Sequence, residues 1–115
     1  MVDEACLFCR IVGGDIAADR VGETDVALAF RDLSPQAPTH VLVVPKEHSP
    51  TLPELAGTHP DSAVGVLTLA RRVAVDAGIG DGYRLVCNNG AEAQQTVFHA
   101  HVHVLGGREL TWPPG

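Results

Sequence analysis

The segment His99-Ala100-His101-Val102-His103-Val104-Leu105 sets three histidines at alternate positions, each followed by a small or branched apolar residue. On an extended strand, alternate side chains share one face and the rise is about 3.3 Å per residue, so neighbouring imidazoles would stand roughly 7 Å apart. Ala100, Val102 and Val104 would then pack into a core behind them. A helix would scatter the same rings around its axis. Packing alone has no use for three such rings in a row. Spacing leaves two chemical readings open. His-x-His on a strand is a familiar zinc-ligand pattern, and neutral imidazoles gathered around one ligand suit nucleophilic chemistry.

Other segments supply the partners that such a strand needs. Residues 26–30, 40–44 and 83–87 are short, rich in β-branched residues and bounded by Gly or Pro, and they read as strands together with 100–105. Residues 16–21 form a weaker candidate. A helix is expected over about 61–77, where Val64, Leu67, Ala70, Val73, Ala74 and Ala77 recur at three- and four-residue steps. Asp61 or Ser62 would cap its start after Pro60, and Gly78 would end it. A shorter helix is expected over 7–12. The order of helix, strands, long helix and strands predicts an α+β fold with a mainly antiparallel sheet.

At 115 residues the chain fits one domain spanning 1–115, and its 45% hydrophobic content is ample for one core. The formal charge is −6, with no dense basic cluster, which argues against nucleic acid as a partner. No apolar run approaches the roughly 20 residues that cross a bilayer. The acidic opening Met1-Val2-Asp3-Glu4 begins no signal-peptide pattern. Cys6, Cys9 and Cys87 make an odd count that suggests no disulfide framework, so a reducing cytoplasm is expected. Cys87 reads as a small core side chain in a strand, and His59 as a loop residue.

The pattern His-φ-His-φ-His-φ-φ (φ apolar) at His99 to Leu105 resembles the motif of the histidine triad superfamily. The likeness extends through Phe30-Arg31-Asp32-Leu33-Ser34-Pro35-Gln36-Ala37-Pro38-Thr39-His40, Gly82-Tyr83-Arg84-Leu85-Val86, Gly106-Gly107-Arg108 and Trp112-Pro113-Pro114-Gly115. The last three segments are similar to the Hint branch of nucleoside phosphoramidases. The resemblance implies a five-stranded sheet with one long and one short helix, a two-fold homodimer, and a purine nucleotide substrate of the AMP or GMP kind. It implies attack by His101 on the α-phosphorus, a nucleotidyl-histidine intermediate and its cleavage by water. His103 and His40 would hold phosphate oxygens or orient the row, and His99 joins the catalytic set as the first histidine of the triad. Thr96, where the family usually has Ser, would donate to a phosphate oxygen or the leaving group. Asp32 would bind the ribose hydroxyls, although an Asp before Ser-Pro is also a common turn residue. Phe8, Ile11, Ile16, Phe30 and Leu33 would line the base pocket, with Asn88 and Gln95 near the phosphate. Asn89, Gln94 and Thr96 depart from the residues usual at their positions. Trp112 would reach the partner's site.

Cys6-Leu7-Phe8-Cys9 lies too near the start of the chain to follow a strand, which argues against a thioredoxin-like role. Two cysteines need two more ligands for a tetrahedral zinc, and the resemblance supplies His48 and His99. Such a zinc would be structural. The rival readings are a dinucleoside polyphosphate hydrolase or phosphorylase of the same superfamily, a nucleotide-binding interaction module with incidental turnover, and a zinc hydrolase using all three histidines. No acidic residue flanks the row to act as base for the last of these.

Overall fold

The computed structural model describes residues 5–115; the acidic Met1-Val2-Asp3-Glu4 opening lies outside them. Helix α1 (Leu7–Val12) is followed by strands β1 (Arg20–Glu23), β2 (Ala27–Arg31) and β3 (Thr39–Pro45). Helices α2 (Leu52–Thr58) and α3 (Pro60–Asp76) come next, then strand β4 (Tyr83–Val86), a 3-10 turn at Ala91–Ala93 and strand β5 (Val102–Gly106). The five strands form one sheet in the order β1-β2-β3-β5-β4, and every neighbouring pair is antiparallel. The α+β, antiparallel expectation is met.

Both faces of the sheet centre are covered, and the strand sequences show why. Ala27, Ala29, Val41, Val43, Val102 and Val104 pack with Leu55 and with Val66, Leu69, Ala70 and Val73 of α3. Small alanines on β2 let a helix lie close. The alternate residues Leu28, Phe30, Leu42 and Val44 pack with Phe8, Cys9 and Ile11 of α1. Strands buried on both sides read as unbroken apolar runs, which is why β2 and β3 were easy to find and their faces were not.

Several boundaries differ from the sequence expectation. Strand β1 runs over Arg20–Glu23 and leaves Ile16 in the preceding loop. Strand β5 begins at Val102, so His99 and His101 precede it and only His103 lies within it. Cys87 falls just past β4 and is half-buried, with Sγ donating to Asn89 Oδ1 at 3.3 Å, rather than filling the core. Helix α2 was not anticipated, because Pro50 and Pro53 read as breakers. Pro53 instead sits in its first turn, where no intrahelical N–H is needed, and Thr51 Oγ1 accepts from Glu54 N at 3.3 Å. Thr51-x-x-Glu54 is the sequence signal that would have found it.

Helix α3 starts at Pro60, and His59 precedes it without a side-chain cap, so neither Asp61 nor Ser62 plays that part. Gly78, at φ +79°, follows its end as expected. The buried face is Ala63, Val66, Leu69, Ala70, Val73 and Ala74. Val64 and Leu67, placed on the core face by periodicity, are 62% and 45% exposed. The helix is apolar on two stripes, and spacing alone cannot rank them.

Leu69 is 1% exposed beneath the sheet. Leu69→Ala should lower the unfolding free energy by about 3 kcal/mol, read from urea denaturation at an unchanged m-value. A loss below about 1 kcal/mol would contradict the packing described.

Candidate functional site

A cavity of about 340 Å³ opens on the α1 side of the sheet. Its apolar wall comes from Phe8 and Ile11 of α1, Ile16 of the following loop, and Phe30 of β2, with Leu33 at the mouth. Its polar wall comes from Asp32, Asn88, Gln94, Thr96, His101 and His103. Leu33 is 97% exposed, as a rim residue would be.

The histidine row does not act as one unit. His101 and His103 stand with ring centroids 5.2 Å apart, and both line the cavity. His99 is fully buried and turned away from it. Its ring Nε2 donates to the Pro45 carbonyl at 2.8 Å, while Nδ1 faces Cys6 Sγ at 3.3 Å and Cys9 Sγ at 3.4 Å. The expectation of three imidazoles around one ligand is therefore corrected to two, because the chain enters β5 only at Val102. His99 still touches the row through its backbone. His101 Nδ1 donates to the His99 carbonyl at 2.7 Å. With its proton held there, the neutral His101 ring has its lone pair on Nε2. Phe8 packs edge-to-face with the ring, centroids 5.1 Å apart and planes at 89°.

His40 and His103 meet because β3 and β5 pair Leu42 with His103 and His40 with Leu105, which puts the two rings diagonally on one face. The Gln36 peptide N–H donates to His40 Nδ1 at 3.0 Å. Neutral His40 thus carries its proton on Nε2, which donates to His103 Nδ1 at 2.9 Å and lies 3.5 Å from Asp32 Oδ2. His103 is left with an N–H at Nε2. Two adjacent rings consequently differ in kind: His101 offers a lone pair at Nε2 and His103 a donor. Burial holds His40 below the usual histidine range, partly offset by Asp32. Burial, with His101 and His40 adding to it, holds His103 at about 4. His99 is likewise held at about 4, first by burial and then by neighbouring rings, against the raising effect of the Pro45 carbonyl.

Asp32 serves its turn as well as the cavity, since Oδ1 accepts from Ser34 N at 2.7 Å. Gln95, expected near a phosphate, is 3% exposed and absent from the cavity wall. Its Oε1 accepts from Gly90 N at 2.8 Å, and its Nε2 donates to the Pro50 and Val97 carbonyls at 2.7 and 3.1 Å. That amide is consumed by the loop. Trp112 is 81% exposed and is not part of this cavity's wall. A backbone carbonyl fixing the His101 tautomer is a natural expectation, but which groups do this work, the His99 and Pro45 carbonyls and the Gln36 amide, cannot be read from sequence, because a backbone group carries no residue signature.

Cys6, Cys9, His48 and His99 bring one donor atom each to within 4.8 Å of all the others, close enough to hold a metal ion. Cys9 Sγ lies 3.2 Å from His48 Nδ1, and the two imidazole Nδ1 atoms are 3.0 Å apart. A tetrahedral zinc with ordinary bond lengths sets such donors roughly 3.3–3.8 Å apart, so small outward shifts would accept one. The Pro45 carbonyl holds the His99 proton on Nε2 and leaves the Nδ1 lone pair facing the sulfurs, the usual arrangement around a metal-bound histidine. Cys6 also caps α1, accepting from Cys9 N at 3.3 Å.

The HIT domain pattern matches residues 14–110. The chain belongs to the HIT domain family. An uncharacterized HIT-like protein of Synechocystis sp. is 51% identical, over 97% of this chain and 98% of that protein. The crystal structure of a HIT family hydrolase from Legionella pneumophila superposes with a TM-score of 0.91 at 45% identity, covering 96% of this chain and 99% of the other. A histidine triad nucleotide-binding protein from Candida albicans gives a TM-score of 0.81 at 29% identity, over 94% and 82% of the two chains. This HIT domain has no described helix long and apolar enough to cross a membrane.

His103 is held neutral, so the unfolded chain takes up its proton first as the pH falls. The stability this ring contributes is full above about pH 6.5 and is lost as the pH drops toward about 4. An NMR titration of the His103 imidazole should show its midpoint near 4. A midpoint at or above the ordinary value of 6.5 would contradict the buried, donor-paired setting.

Proposed function

We propose that this HIT domain is a hydrolase of purine nucleoside monophosphate derivatives, a nucleoside phosphoramidase of the AMP-amine type. The observation that carries the reading is the His101 Nδ1–H bond to the His99 carbonyl, which presents a lone pair to a cavity with one apolar wall and one polar wall. The base lies against Phe8, Ile11, Ile16, Phe30 and Leu33, and the Asp32 carboxylate accepts from the ribose hydroxyls. His101 Nε2 attacks the α-phosphorus. A phosphorus–Nε2 bond forms as the phosphorus–nitrogen bond to the amine breaks, and the amine departs with a proton taken from solvent at the open mouth. Water then attacks the same phosphorus, the bond to Nε2 breaks, and the nucleoside monophosphate leaves. Splitting one displacement into two lowers each barrier. His103, as an Nε2–H donor, binds a phosphate oxygen, with His40 keeping it in that tautomer. Thr96 and Asn88 donate to phosphate or leaving group.

Cys6, Cys9, His48 and His99 hold a structural zinc in this reading. Bound there, zinc supplies a cross-link between α1, the end of β3 and the start of the histidine row, and takes no part in the bond changes. The protein is a homodimer in the same reading. The exposed Val64, Leu67 and Val75 stripe of α3 is the surface a second copy would cover, and exposed Trp112 would approach the partner's cavity.

Native protein and His101→Ala, each mixed with an adenosine 5′-phosphoramidate, test the chemistry through release of the amine. The substitution should slow release at least about a thousandfold while AMP still binds within a fewfold. Equal rates would overturn the nucleophile assignment. Protein purified without chelator or histidine tag should carry about one equivalent of zinc. Stripping it should lower the Tm by several degrees, and a metal-free protein of unchanged Tm and activity would dismiss the zinc reading.

A further inference from the structure

Gln94 is the one non-glycine residue at positive φ among the described residues, at +70°. That region crowds an L side chain and is ordinarily left to glycine or to Asn and Asp. The strain is enforced from both sides. Gln94 N donates to the Ala91 carbonyl at 3.0 Å, and Gln95 N donates to the Gly90 carbonyl at 3.1 Å. The buried Gln95 amide then ties Gly90, Pro50 and Val97 together. A left-handed residue so firmly held needs no glutamine for its backbone shape, since glycine adopts the same conformation without steric strain. Such strain gathers at working sites.

The Gln94 side chain is exposed and lines the same cavity as His101, Asn88 and Thr96. None of the hydrogen bonds described for the molecule engages its carboxamide. The apolar wall accounts for a base, Asp32 for a ribose, and His101 and His103 for the phosphorus. Residues 88, 94 and 96 make up the rest of the polar wall, and the exposure of Gln94 and Thr96 leaves that part open to solvent. An in-line displacement requires that group to depart opposite His101 Nε2.

We propose that Gln94 is a specificity-determining residue: its carboxamide, carried on a left-handed backbone at the cavity wall, hydrogen-bonds polar leaving groups and favours them over apolar ones of equal size. The inference rests on the phosphoramidase reading and names the leaving-group class of that site. Gln94 takes no part in the bond changes. One side chain with both a donor and an acceptor accommodates amides, hydroxyls and carboxylates alike, and its exposure sets no tight limit on their size.

The test compares two near-isosteric adenosine 5′-phosphoramidates, of glycinamide and of isobutylamine, on native protein, Gln94→Ala and Gln94→Gly. Alanine keeps the backbone strain and removes the amide, whereas glycine removes both. In each variant kcat/KM for glycinamide should fall about five- to tenfold relative to isobutylamine, while AMP affinity measured by calorimetry stays within twofold. An unchanged preference in both variants overturns the proposal. A preference altered in Gln94→Gly but not in Gln94→Ala also overturns it, because loop shape rather than the amide would then decide. Native protein that binds AMP yet releases neither amine refutes the phosphoramidase reading itself, and the role of Gln94 with it.

Discussion

The hydrogen bond from His101 Nδ1 to the His99 carbonyl, 2.7 Å long, is the interaction on which the site's chemistry turns. An imidazole has two equivalent-looking nitrogens, and only its neighbours make one a donor and the other a lone pair. A carbonyl two residues back in an extended chain is a fixed acceptor, so the assignment needs no second side chain. The complementary choice at His103 needs three partners in series: a peptide N–H at Gln36, then His40, then His103 Nδ1. Two rings with centroids 5.2 Å apart thereby acquire opposite characters from backbone groups in the segments that lead into β3 and β5.

Sheet geometry makes those approaches possible. Antiparallel pairing of β3 with β5 sets His40 and His103 diagonally, and the opposite parity of the same strands feeds Val41, Val43, Val102 and Val104 to α3. The site is thus the reverse side of the core. Burial on that reverse face is also what holds His103 and His99 well below the usual histidine range.

Much of this was legible in the sequence. Alternation located the row, apolar runs located β2 and β3, and the family pattern gathered Phe8, Ile11, Ile16, Phe30, Leu33, Asp32, Asn88 and Thr96, all of which reach one cavity. What escaped has physical causes. The face of α3 escaped because the helix carries two apolar stripes. Helix α2 escaped because a proline that opens a helix looks like one that breaks it. The turning away of His99 escaped because strict alternation holds only inside a strand, and β5 begins three residues later. Gln95 looked available because a polar side chain in a loop shows no sign of being claimed by backbone groups at Gly90, Pro50 and Val97.

The divided attachment of His99, ring to the cysteines and carbonyl to His101, separates two kinds of structural constraint. A carbonyl is furnished by every amino acid, so the acceptor that sets His101 survives any replacement at 99 that preserves the chain path. The imidazole at 99 answers to Cys6, Cys9 and His48 on one side and to the Pro45 carbonyl on the other. Exchange of the ring at 99 would thus act on the cysteine cluster directly and on His101 only through the chain path. The first and second histidines of the row are therefore separable by substitution, despite standing two residues apart.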